Sequence, residues 1–118
     1  MSKPEIFKSP IPPETVRRLA DESFQDMVKF VVDLDREMIC AGGGLHADEE
    51  ALLIENGSKQ SALWGGNYYL DEPAGKRLEY SSMINIRPAD GNAQQTIASE
   101  KIRGQVLEMA LHYFESKP

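Results

Sequence analysis

The chain has 118 residues, 41% hydrophobic and 27% charged, with a formal net charge of −6 and a pI of about 4.9. That length suits one hydrophobic core, and that composition excludes global disorder. The basic residues are scattered, Arg17-Arg18 being the tightest group, so neither nucleic acid nor an anionic membrane, both of which need clustered cations, is expected as a partner.

The single cysteine, Cys40, excludes an intramolecular disulfide and suits a reducing compartment. No apolar stretch approaches the roughly 20 residues of a membrane span, and Met1–Glu5 carries no apolar export run. A cytoplasmic protein is expected.

In chain order, Glu5–Lys8 reads as a short strand, closed by the proline-rich Ser9–Pro13. Pro13 suits a first helical turn, and Val16, Leu19 and Ala20 follow at helical spacing, predicting a helix over about 13–23. Met27–Asp35 alternates: Val28, Phe30, Val32 and Leu34 share one face, Lys29, Val31 and Asp33 the other. A turn at Asp33–Arg36 then returns the chain as Glu37–Ala41, the second strand of a hairpin.

After Gly42-Gly43-Gly44, a second helix is expected from Leu45 through Ile54, with acidic residues in its first turn and Asn56-Gly57 at its end. Ala62–Leu70 reads as a strand in which Gly65-Gly66 marks a bulge or a close backbone approach. Leu78–Arg87 alternates most cleanly and predicts a long strand, followed by a turn at Pro88–Asn92. Ser99 is placed to cap a last helix that buries Ile102, Val106, Met109, Ala110 and Tyr113. The order β-α-β-β-α-β-β-α predicts one α+β domain over 1–118, a small antiparallel sheet of four to five strands with helices on one face, and frayed ends at 1–4 and 116–118.

Few polar residues form sets that carry chemistry. A glycine run ahead of a helix is able to cradle a phosphate, but Asp48, Glu49 and Glu50 in the first turn oppose an anion, and no Gly-Lys-Ser/Thr follows. Those residues suit a cation better. His46 lies one turn from Glu49 or Glu50, so His46 and Glu50 are weak candidates to share a divalent metal, with a third ligand such as His112 or Asn85 still required. No other cofactor is expected, and dipole compensation by the acids explains the pattern more simply.

Asn85 and Arg87 would share one strand face and form a grip for a carboxylate or amide; a structural Arg87 paired with Glu49 or Glu50 is the simpler alternative. Trp64, Tyr68 and Tyr69, with Asn67 among them, would make an aromatic binding strand or part of the core. Cys40 has no basic neighbour in sequence and reads as an inert thiol, and His112 as a surface residue.

Two motifs carry a resemblance: GGGLHADEEALLIENG (Gly42–Gly57) and SMINIRP (Ser82–Pro88), accompanied by Asp26–Asp33 and Leu63-Trp64-Gly65. From Pro10 to the last helix the chain resembles a small bacterial single-domain family of unknown function. The resemblance implies a bacterial, stand-alone domain and brings no activity. Without a catalytic set, the expectation is a non-enzymatic interaction module whose partner is a protein, including a second copy paired through a sheet edge or the aromatic strand. The rival is a small enzyme or metal-dependent protein built on His46, Asp48, Glu49 or Glu50 with Asn85 and Arg87.

Overall fold

The apolar run within Val28–Asp33 becomes the middle strand of the molecule because nearly every residue in it has somewhere to be buried. The computed structural model describes residues 2–116; Met1, Lys117 and Pro118, part of the ends expected to fray, lie outside the described residues. The strands are β1 (Glu5–Phe7), β2 (Val28–Asp33), β3 (Met38–Ala41), β4 (Leu63–Tyr68) and β5 (Leu78–Glu79). They form one antiparallel sheet in the order β1-β3-β2-β4-β5. The helices are α1 (Pro13–Asp21), α2 (His46–Glu55) and α3 (Glu100–Glu115). This is an α+β fold.

The helices divide between the two faces, which corrects the expectation of helices on one. Val28, Phe30 and Val32 of β2 pack with Val16, Leu19 and Ala20 of α1 and with Val106, Ala110, Tyr113 and Phe114 of α3. Val31 points the other way and packs with Met38, Cys40, Leu63 and Leu53, the last from α2. A strand covered on both faces loses the polar alternation of a half-solvated one, and Val31-Val32 inside β2 is that signature.

On the α1/α3 face Phe114 stacks on Tyr68 at 4.4 Å between centroids and meets Phe30 edge-on at 5.6 Å. Each such aromatic pair contributes about 1 kcal/mol beyond its buried area. The Ser99 hydroxyl accepts the Ile102 N–H at 3.2 Å and starts α3 as the sequence predicts. α1 stops at Asp21, two residues short of expectation, where Ser23 donates its hydroxyl to the Leu19 carbonyl and Gln25 takes a positive φ of 72°.

The long strand predicted over Leu78–Arg87 does not form. Only Leu78–Glu79 pairs with β4, opposite Tyr68 and Asn67, and the chain then winds into 3-10 turns at Met83–Asn85 and Pro88–Asp90. The Ser82 hydroxyl accepts the Ile84 N–H at 3.2 Å, and the Asn85 N–H donates to the Ser82 carbonyl at 3.1 Å. These local bonds compete with a ladder, and alternation alone cannot report them. Asn85 and Arg87 therefore do not project from a shared strand face. Among the described residues, no helix is long and apolar enough to cross a membrane.

Candidate functional site

Most of the polar residues singled out in the sequence lie on the α2 side of the sheet, whereas Trp64 and Tyr68 belong to the core of the other face and His112 to α3. Gly42 bends the chain out of β3 with φ +92°, and a Cβ there would stand 2.6 Å from the Leu19 Cδ2. Only glycine satisfies both conditions. Gly43 follows, and its N–H donates to Glu49 Oε2 at 3.0 Å. A Cβ on Gly43 would press on the Glu49 Cγ and the Pro4 Cβ. The glycine run thus lets α2 and the N-terminal segment close onto the sheet, with Pro4 beside Gly43 and Ser2 beside Gly44.

α2 begins at His46 without a side-chain cap and turns His46, Glu49 and Leu53 inward. The His46 Nε2 lies 2.7 Å from the Gly66 carbonyl oxygen. A carbonyl only accepts, so Nε2 carries the proton. Burial pulls the His46 pKa below its usual value, against the Gly66 bond that raises it; the ammonium of Lys29 lowers it further and Asn67 raises it. The net shift favours the neutral ring.

Glu49 is fully buried, and its Oε1 has no partner. Burial raises its pKa well above the carboxylate range, opposed by the Gly43 N–H and by Lys29. Cys40 is also fully buried; burial first, then the carboxylates of Glu49 and Glu5, push its thiol strongly up and keep it protonated. Asp48 is exposed, and its charge adds to the upward shift at Glu49.

The other candidates line the outer edge of β4. Asn85 is fully buried; its Oδ1 accepts the Gly65 N–H at 2.9 Å, and its Nδ2 donates to the Gly65 and Gln95 carbonyls at 3.0 Å each. The carboxamide thus occupies the place of a neighbouring strand where β5 is missing. Gly65 admits it: a Cβ there would stand 2.8 Å from the Ser82 Cβ and Oγ. The Gly65-Gly66 pair is a close approach, with no break in the β2–β4 register.

Arg87 continues the seal. Its guanidinium donates to the Gln60 carbonyl at 2.6 Å and the Leu63 carbonyl at 2.8 Å, and lies over the Trp64 ring at 4.3 Å. Its Nε sits 3.6 Å from Asp90 without a hydrogen bond. The anticipated pairing with Glu49 does not occur. Glu50 keeps a buried Oε2 without a partner, close enough for its charge to be felt at Arg87. Trp64 is 4% exposed and Tyr68 is likewise core, so the aromatic strand offers no open platform.

Asn67 donates to Glu79 at 2.7 Å and leaves its Oδ1 unpartnered beside His46. The structure therefore brings His46 to Asn67 at one end of β4, while Arg87 holds Leu63 at the other, roughly 13 Å away at strand spacing. The set His46, Glu49, Glu50, Asn85 and Arg87 does not converge in one cleft. His46 and Glu50 turn to different neighbours, and among the described residues no group of three or more His, Cys, Asp and Glu side chains is placed to hold an ion.

Two residues escaped the sequence reading. Asn92, in the turn after Pro88, is buried and donates to the Asn85, Gln94 and Thr96 carbonyls while accepting the Ala98 N–H. Asp33 is buried at the hairpin; its Oδ1 accepts the Asp35 and Arg36 N–H groups and its Oδ2 accepts the Ser58 hydroxyl. The Asp-x-Asp spacing was the available signal for Asp33, through the turn its side chain makes with the backbone two residues on.

No curated protein and no solved structure matches the chain. A family model described as "Protein of unknown function (DUF5674)" matches residues 5–112. With nearly all of its 118 residues inside that match, the chain belongs to the DUF5674 family.

Proposed function

We propose that the protein is a non-enzymatic interaction module of the bacterial cytoplasm that associates through the open edge of β1, with a second copy as its partner. The observation that carries this reading is the contrast between the two edges of the sheet. The β4 edge is closed by β5, Asn85 and Arg87. β1 is the terminal strand at the other side, with only β3 beside it among the described residues.

The Gly42 N–H donates to the Lys29 carbonyl, which sets the phase of the ladder: Cys40 bonds toward β2, and Ile39 and Ala41 bond toward Phe7 and Glu5. Ile6 then directs its N–H and C=O outward. Two β1 strands meeting antiparallel around Ile6 would exchange those groups in an isologous pair and join two sheets into one. The lone buried Cys40 and the acidic balance support a reducing compartment and a protein partner over nucleic acid.

Sedimentation equilibrium over a wide concentration range tests this. A reversible dimer is expected for wild type and a monomer for Ile6→Pro, which removes the outward N–H. A wild-type protein that stays monomeric throughout would overturn the proposal.

A further inference from the structure

A cavity of about 510 Å³ opens between α3 and the turn joining β2 to β3. Its volume falls in the range of small-molecule sites, roughly 300–1,000 Å³. Buried Tyr113 and half-buried Leu34 and Met109 supply apolar lining, and exposed Glu37, Glu108 and Lys8 supply charge. Two carboxylates against one ammonium leave a surplus of one negative charge. Among the described residues neither carboxylate is in an ion pair.

The turn itself points to a use for that charge. Asp33 fixes its start by accepting the Asp35 and Arg36 N–H groups at 2.9 Å, and the Tyr113 hydroxyl fixes its end by donating to the Glu37 carbonyl at 2.6 Å. Between these anchors Glu37 is held at φ +52°. Hairpin turns place glycine or asparagine at such a position, because a Cβ there is strained. The chain places a glutamate there instead, an exposed residue that lines the cavity. A strained residue beside a pocket is a pattern of binding sites.

We propose that this cavity binds a compact primary amine, its ammonium between Glu37 and Glu108 and its apolar body against Leu34, Met109 and Tyr113. The test is an NMR titration of isotope-labelled protein with phenethylamine, and with its N-acetyl derivative as the uncharged control. Saturable shifts at Glu37, His112 and Tyr113 are expected with the amine alone. Glu37→Gly should weaken binding about tenfold or more through the lost charge-assisted contact. The same variant should unfold at an equal or higher temperature, because glycine relieves the strain, so lost binding will not reflect lost fold. Absence of saturable shifts, equal binding of the acetylated compound, or unchanged affinity in both Glu37→Gly and Glu108→Gln would overturn the proposal.

Discussion

On the α1/α3 face the buried cluster is apolar and aromatic throughout, from Ile11 to Phe114. On the α2 face a small patch of Val31, Met38, Cys40, Leu53 and Leu63 sits between polar ends, His46, Glu49 and Asn67 at one and Asp33 with Ser58 at the other. The first face is held by area removed from water, which tolerates repacking if volume is kept. The second depends on individual hydrogen bonds, because most of its polar side chains serve backbone groups that no strand reaches. Two of the residues that look chemically capable in the sequence, Asn85 and Arg87, are replacements for missing ladder bonds on the outer edge of β4.

The largest effect that would break this contrast is expected at Asn85. Asn85→Ala leaves the Gly65 N–H and C=O and the Gln95 carbonyl without their partner in a buried place. It should cost about 3 kcal/mol in urea unfolding, comparable to a large-to-small change in the apolar core. A cost under about 1 kcal/mol would mean that water replaces the carboxamide freely and that the edge is not sealed.

Glu49 sharpens the contrast through pH. Its folded pKa is raised by burial, so the neutral acid is the form the fold prefers. The stability it contributes is complete below the unfolded value near 4.5 and is lost as the pH climbs from there through the raised folded value. Glu49→Gln keeps an acceptor for the Gly43 N–H and removes the titration. Thermal midpoints of the two proteins should lie close at low pH and separate as pH rises, the variant becoming the more stable. His46 contributes with opposite sign: its folded pKa is lowered, so its stability is present above the ordinary value of 6.5 and fades as pH falls.

The smallest effect belongs to Asp48, exposed in the first turn of α2. Asp48→Asn removes a favourable charge at the helix N-terminus together with a like charge felt at Glu49, two small opposing effects, and should change stability by no more than about 0.5 kcal/mol in the same urea assay.

Elements whose signals are local were legible in the sequence. β2 announced itself by β-branched alternation and α3 by the cap at Ser99. Asn56-Gly57 marked the end of α2, and the Asn56 and Gly57 N–H groups do close its last turn on the Leu52, Leu53 and Ile54 carbonyls. The segment from Tyr80 to Arg87 was illegible because its course is decided by Gly65, on another strand, which opens the space that Ser82 and Asn85 enter. The site residues were recognised as polar and grouped, but their targets were carbonyl and amide groups of distant backbone, which carry no mark in a sequence. The split of helices between two faces was written only in the consecutive valines of β2.

Cys40 gives the α2 face an internal clock. The sole thiol of the chain lies under α2, fully buried and held protonated by its surroundings. A thiol reagent in solution cannot meet it without an opening of that face, so at reagent concentrations where modification outpaces reclosing the rate of modification is the rate of opening. In that regime the first departure of α2 from the sheet in each molecule is recorded as a covalent event at a single known atom, the Cys40 Sγ.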